Sequence, residues 1–252
     1  MSAPVVLLTR PRRESRQAAR VLAAQGIDAI RMPLQSTRRA PASTALSADL
    51  AWAGGAAIQI FVSRAAVAAA AAHAPAQLAA AKVRIAVGAA TAAALERLGL
   101  AVVRAPGDGE DSDGILRLAE LQSVAGQRIA IWAAPGGRDR LLTGLAQRRA
   151  EVGALMVYRR VPLRPRPAAL RRLRQAASAV VLSASSGLLL KALDAVLVRA
   201  GLAPLRARPL VVASPRIAAL AADLGYTDVR VARGASAQAL ASALARDDGP
   251  LA

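Results

Sequence analysis

Val5-Val6-Leu7-Leu8-Thr9-Arg10-Pro11 opens the readable pattern of this chain: four apolar residues, then a hydroxyl, an arginine and a proline. The apolar run has the length and branching of a buried strand. The proline cannot continue a ladder but suits the first turn of a helix. A helical stretch follows from about Arg13 to Gln25, Gly26 punctuates it, and Ile27–Met32 reads as a second strand. This strand, arginine loop, helix and strand form a module, A. It recurs from Ile129-Ala130-Ile131-Trp132 through Val157, with Arg138 opening the helix. A second module, B, is a strand ending in serine, a helix, and then strand, helix and strand. Its copies run from Ile60-Phe61-Val62-Ser63 to about Leu118 and from Val181-Leu182-Ser183 to about Leu244. Within them Leu95-Glu96-Arg97-Leu98-Gly99 matches Ala221-Ala222-Asp223-Leu224-Gly225. The order A, B, A, B predicts two similar α/β domains.

The remaining pattern extends that reading. Ile58–Val62, Arg84–Val87, Val102–Ala105, Ala154–Tyr158, Ala179–Leu182, Leu210–Ala213 and Val229–Ala232 read as strands. Ala65–Ala74 and Thr91–Leu98 read as helices, the second stopped by Gly99. Strands alternating with helices of roughly ten to fifteen residues predict parallel sheets. Pro33–Pro41 and the Arg- and Pro-rich Arg159–Pro167 read as extended connectors, each following an A module.

Composition narrows the chemistry. The chain has 252 residues, 55% of them hydrophobic but only 2% aromatic, so the core must be built from Leu, Val, Ile and Ala. There is no cysteine, which excludes disulfides and thiolate sites, and His73 is the only histidine, which argues against a histidine metal site or a Ser-His-Asp triad. The formal charge is +18, and only Lys82 and Lys191 among the 34 basic residues are lysines. Such an arginine excess favours a polyanionic partner: nucleic acid, phosphate or a ligand with many carboxylates. The arginines are scattered along the chain, with no basic tail and no interleaved aromatics for base stacking. Charged residues follow the first apolar run from Arg10 onward, which argues against a signal peptide. No apolar run has membrane-spanning length, so a soluble cytoplasmic protein is expected.

Ligands of parallel sheets sit beyond the carboxyl ends of the strands. The residues there are hydroxyls, glycines and arginines: Thr9-Arg10-Pro11, Ser63-Arg64, Gly88-Ala89-Ala90-Thr91, Pro135-Gly136-Gly137-Arg138, Ser183-Ala184-Ser185-Ser186-Gly187 and Ser214-Pro215-Arg216. Each precedes a helix, whose free amides and positive dipole end attract anions. Each serine or threonine taken alone also reads as an ordinary N-cap. There is no G-x-G-x-x-G and no G-x-x-x-x-G-K-[ST], and Glu110-Asp111 has no acidic partner for paired-carboxylate chemistry. Tyr158 stands out among scarce aromatics, at the end of the second A module and just before a connector. That position predicts that it faces the space between the domains.

Taken in order, these motifs resemble the uroporphyrinogen-III synthase family over essentially the whole chain. The matching stretches are Thr9-Arg10-Pro11, Phe61-Val62-Ser63-Arg64-Ala65-Ala66-Val67, Gly88-Ala89-Ala90-Thr91-Ala92 and Ser112 to Leu116. Gly136-Gly137-Arg138-Asp139-Arg140-Leu141, Val157-Tyr158-Arg159-Arg160, Ser185-Ser186-Gly187 and Val212-Ala213-Ser214-Pro215-Arg216-Ile217-Ala218 complete the set. The chain departs from the family where Trp132-Ala133-Ala134-Pro135 replaces Arg-Gly-x-Gly, at Arg64, where many members have a small or amide residue, and at Ile217, where some have threonine.

The resemblance implies two flavodoxin-like parallel-sheet domains joined by two extended linkers. The first A module would pack with the last B module as a discontinuous domain, residues 1–34 and 165–252, around an inserted domain, residues 35–164. It implies a cofactor-free lyase with no metal, cyclising hydroxymethylbilane with loss of water and inversion of the terminal pyrrole. Tyr158 would be the hydrogen-bond donor to the departing hydroxyl. Arg10, Ser63, Thr91, Gly137, Arg138, Ser183, Ser185, Ser186, Ser214 and Arg216 would grip the acetate and propionate groups, and domain closure would hold the reactive conformer. A stand-alone monomer is expected, with the preceding pathway enzyme as the candidate protein partner and with neither nucleic acid nor membrane bound. Two rivals remain at this level: a basic α/β nucleic-acid-binding protein and a two-domain sugar or nucleotide transferase.

Overall fold

The computed structural model describes residues 4–104, 112–136 and 139–245. Twelve strands occur among them: β1 (Val5–Leu8), β2 (Asp28–Arg31), β3 (Gln35–Arg39), β4 (Ile58–Phe61), β5 (Val83–Ala86), β6 (Val103–Arg104), β7 (Arg128–Ala133), β8 (Glu151–Met156), β9 (Tyr158–Pro162), β10 (Val180–Ala184), β11 (Leu210–Val212) and β12 (Val229–Val231). The chain divides into a discontinuous domain, Met1–Ser36 with Val161–Ala252, and an inserted domain, Thr37–Arg160. The first A module therefore shares a domain with the last B module.

The discontinuous domain holds a five-stranded sheet in the order β12-β11-β10-β1-β2, and the inserted domain one in the order β6-β5-β4-β7-β8. Adjacent strands in both are parallel. Read from β1, the first sheet has the order 2-1-3-4-5 of a flavodoxin-like doubly wound fold. The second has that same order when read from β7 through β8 and back to β4. The two domains are circular permutants of one plan, with module A leading in one and trailing in the other.

Both faces of each sheet are dry, which is why the strands read as continuous apolar runs rather than alternating ones. In the discontinuous domain Leu7, Ile30, Leu182, Leu210 and Val212 pack on one side, while Val6, Leu8 and Val211 meet Leu22 and Leu240 on the other. In the inserted domain Ile58, Ile60, Ile85, Ile129 and Ile131 form one core. Phe61, Trp132, Leu155 and Tyr158 form the other with Ala66, Ala69 and Ala70 of the helix Arg64–His73. The rings of Phe61 and Trp132 stack with centroids 5.7 Å apart. Gln59 and Arg84 are register partners on β4 and β5 and both are buried. They donate to the carbonyls of Gln77, Leu78 and Ala79, which close the short helix Pro75–Ala80. Two buried polar side chains thus satisfy one helix end.

The expected strand Ala154–Tyr158 begins earlier, at Glu151. The reason is tertiary. Gly153 lets the Trp52 ring lie against the strand, where a Cβ would come within 2.5 Å of it. Trp52 Nε1 donates to Glu151, and the Arg128 guanidinium sits 5.2 Å from the ring centroid. Hydrogen bonds from Trp52 first and Arg128 second hold the Glu151 carboxyl below its ordinary range.

The two connectors are themselves strands, since β3 pairs with β9 in a two-stranded ribbon. Ala40 N donates to Val157 O (2.9 Å) at one end and Leu163 N to Leu34 O (2.8 Å) at the other. Extended chain with unmet backbone groups finds its partner in the neighbouring connector. The division between domains falls inside this ribbon, and the second connector ends in the helix Pro167–Gln175. No helix among the described residues is long and apolar enough to cross a membrane.

One turn recurs across both domains. Ile27, Leu100, Leu202 and Tyr226 each donate to the carbonyl five residues back, after Gly26, Gly99, Gly201 and Gly225 with φ of 73°, 74°, 67° and 82°. Ala150 N bonds Leu145 O in the same way, but the left-handed position is Arg149, with φ of 59°. That conformation costs a side-chain-bearing residue about 1–2 kcal/mol, partly offset by glycine's greater freedom when unfolded. Arg149→Gly is expected to raise unfolding stability by about 0.5–1 kcal/mol, read from the urea midpoint at unchanged slope. A lowered midpoint would contradict this account of the turn.

Candidate active site

In the inserted domain the carboxyl ends of β4 and β5 feed directly into helices. Ser63 is the N-cap of Arg64–His73, with extended backbone and its Oγ accepting from Ala66 N at 3.1 Å. Gly88 is the N-cap of Ala89–Glu96, whose first turn holds the buried Thr91. Tyr158 begins β9, immediately after Val157, whose N–H is bonded to the carbonyl of Ala133, the last residue of β7. The Tyr158 side chain is only 3% exposed, with its ring in the Phe61 and Trp132 core. Its hydroxyl reaches the partly buried rim, where Ser63 Oγ donates to Tyr158 Oη at 2.9 Å.

The direction of these bonds decides what the pair can do. Ser63 Oγ accepts one backbone proton and gives its own to the phenol oxygen. The phenol proton is then left to point elsewhere. Helix amide, serine and tyrosine thus form one continuous hydrogen-bonded chain. The sequence singled out both residues but offered no signal that they touch, because 95 positions separate them.

In the discontinuous domain the hydroxyls divide into two kinds. Thr9 Oγ1 donates to Ser183 O (3.0 Å), and Ser183 Oγ donates to Leu7 O (2.6 Å), so both are spent joining β1 to β10. This revises the equivalence of Ser183 with Ser63. Val5 pairs with Val180 and Ile58 with Ile129, so β10 continues through Ser183 to Ala184 and the serine faces the sheet. The N-cap is Ser186, which accepts from Leu189 N at 3.3 Å, and Ser185 lies half-buried beside it. Ser214 is the N-cap of Pro215–Asp223 but makes no side-chain capping bond, and Arg216 is exposed in that helix's first turn.

Arg10 lies at the carboxyl end of β1 and donates to Ala235 O at 2.6 Å. Burial lowers its pKa from the ordinary arginine value, while Glu14 acts to raise it. It lines a small cavity of about 10 Å³ with Ser183, Val212 and Gly234. Arg10 and Ser183 are therefore brought together, as are Ser63 and Tyr158. Gly137 and Arg138 lie outside the described residues. No group of three or more His, Cys, Asp or Glu able to hold a metal occurs among the described residues.

If Ser183 serves the sheet, Ser183→Ala should lower stability by about 1–2 kcal/mol, the cost of a buried hydrogen bond, measured by denaturant unfolding. Unchanged stability with weakened ligand affinity would instead mark it as a ligand contact.

A family model described as uroporphyrinogen-III synthase HemD matches residues 16–242. The uroporphyrinogen-III synthase of Salmonella typhimurium LT2 is 36% identical over 162 residues, covering 61% of this chain and 63% of that protein. That of Escherichia coli K12 is 35% identical over 156 residues, with the same coverage. The chain thus spans 63% of the length of these curated relatives. Two crystal structures share the fold. A mutant uroporphyrinogen III synthase from the extreme thermophile Thermus thermophilus superposes with a TM-score of 0.60 at 21% identity, over 96% of this chain and 97% of that one. A uroporphyrinogen-III synthetase from Helicobacter pylori 26695 gives 0.59 at 13%, over 97% and 99%. The family model runs through the first helix, the whole inserted domain and the returning strands of the discontinuous one, and by that match the chain belongs to the uroporphyrinogen-III synthase family.

Proposed function

We propose that this chain cyclises hydroxymethylbilane to uroporphyrinogen III, with loss of water and inversion of the terminal pyrrole. Besides family membership, the observation that carries the reading is the bond from Ser63 Oγ to Tyr158 Oη. Hydroxide is a poor leaving group, and a donor aimed at it lowers the barrier to its departure. Tyr158 supplies that hydrogen bond, and the hydroxide departs as water with the N–H proton of the pyrrole that bore it; closure of the macrocycle later returns a proton from carbon to that nitrogen. The electrophile left behind is an azafulvene. The substituted carbon of the last ring attacks it, and the spiro intermediate fragments and recloses with that ring reversed.

Ser63 acts on Tyr158 rather than on the substrate: it fills one acceptor site of the phenol oxygen and so orients the remaining proton. Arg10 and Arg216 provide charge for acetate and propionate groups. Ser185, Ser186, Ser214 and Thr91 stand at helix starts, where backbone amides favour carboxylates. Gly137 and Arg138 join this set by their place in the sequence. No cofactor takes part in this scheme, and the protein acts as a monomer in the cytoplasm, with the enzyme that supplies hydroxymethylbilane as its candidate partner.

The test uses enzymatically generated hydroxymethylbilane and chromatographic separation of the type I and type III isomers. Wild type should give type III, and a product that is only type I would sink the function. Tyr158→Phe should cut type III formation by about 10- to 100-fold, toward the lower end of general acid effects, with the fold intact. Full type III turnover in that variant would remove Tyr158 from the mechanism.

A further inference from the structure

The discontinuous domain carries a basic groove that none of the reaction chemistry above uses. It has a volume of about 420 Å³ and lies at the carboxyl end of β2, between the first turns of the helices Arg12–Ala23 and Pro167–Gln175. Its walls are Arg12, Arg16, Arg31, Arg166 and Arg172, over an apolar floor of Pro33, Ala168 and Ala169. Arg172 is paired with Asp28 at 2.8 Å. Arg12, Arg16, Arg31 and Arg166 have no ion-pair or side-chain hydrogen-bond partner among the described residues, and all four are exposed. The nearby acids are Asp28, already paired, and Glu14, whose charge acts on Arg10. Neither helix is closed by a side-chain cap: the N-cap residues are Pro11 and Arg166, and neither makes a side-chain capping bond.

Four unpaired guanidinium groups around one concavity repel one another, and helix dipoles of the same sign add to that field. A surface of this kind is stabilised by a multiply charged anion. Arginine's planar fork matches carboxylate and phosphate oxygens in bidentate geometry. The apolar floor separates this groove from a simple phosphate cradle, since it suits a ligand with a hydrocarbon body and charged arms. Pro11 alone separates Arg12 from Arg10, a residue proposed above for carboxylate binding.

We infer that this groove is an anion-binding site for clustered carboxylates borne on an apolar ring, namely acetate and propionate groups of the linear tetrapyrrole; the ligand's identity rests on the proposed function. The site would add affinity and orientation, and its strength would fall with salt because its charges are exposed.

The experiment compares wild type with Arg31→Gln/Arg166→Gln and with a charge-matched control, Arg97→Gln/Arg199→Gln. The probe is uroporphyrin III, the oxidised ring that carries the same acetate and propionate edge, followed by fluorescence at low and high salt. Inorganic phosphate is titrated separately. The groove variant should bind uroporphyrin III about tenfold more weakly, lose much of the salt dependence and raise KM for hydroxymethylbilane more than it lowers kcat. The control should bind as wild type does. Binding within twofold of wild type, or an equal loss in the control, overturns the site. Loss of phosphate binding with uroporphyrin III binding intact overturns the carboxylate assignment. A wild type that forms no type III isomer would refute the proposed function alone, while the binding titrations still decide the groove.

Discussion

The pairing of β1 with β10 is the constraint on which the rest of this structure depends. Val5 and Val6 find their register partners at Val180 and Val181, across most of the chain. Thr9 and Ser183 then exchange side-chain bonds with the opposite backbone, which locks the register at the carboxyl end. Closing so long a loop costs entropy that a few parallel hydrogen bonds do not repay alone. The repayment comes from burial on both faces, where Leu7 and Leu182 pack on one side and Leu8 and Val211 on the other. Once β1 is committed to β10, everything between β2 and the returning helix Pro167–Gln175 must form its own domain. The chain must also leave and return as neighbours, and the β3–β9 ribbon is that consequence.

The inserted domain solves the same packing problem with its modules in the other order. Its central strand β4 comes first, and β7 and β8 are added afterwards on the far side. Nothing in the local chemistry of a strand or a helix distinguishes the two orders. Each interior strand needs two neighbours and each face a helix, and a circular permutation preserves both. The turns show the shared plan most plainly. Gly26 and Arg149 occupy the same left-handed position in the two A modules, although only one of them is suited to it.

The chemistry follows from where helices begin. Ser63 is an N-cap first, and that duty consumes one lone pair and leaves its proton for Tyr158. In the other domain the equivalent cap is Ser186, and no tyrosine meets it. The two halves are thus alike in backbone and unlike at their helix starts: Ser63 meets Tyr158 in one, and in the other Ser186 only caps its helix. The proposed reaction asks little more of the protein than a hold on carboxylates and one donor at the leaving group.

Much of this was legible in the residues. The A–B–A–B repeat, the parallel sheets and the flavodoxin-like class follow from apolar runs of strand length alternating with glycine-stopped helices, because burial on both faces leaves so regular a trace. Tyr158, Ser63 and Arg10 were legible as candidates by position, Tyr158 at a module's end and the other two beyond the carboxyl ends of strands. Pairing was not legible. Whether β1 joins the first B module or the last cannot be read from strands that are all Val, Leu and Ile, since any parallel register buries them equally well; the resemblance to a family supplied the crossed arrangement, and the β1–β10 register shows it. For the same reason Ser183 reads as a loop residue until β10 is seen to run past it. The groove arginines stand at positions 12, 16, 31, 166 and 172, and only the packing of two helices beside β2 makes them one surface. Local sequence determines which segments are strand, helix or turn, because those depend on neighbours in the chain. Long-range register and the convergence of side chains belong to tertiary structure, because they depend on which buried faces meet.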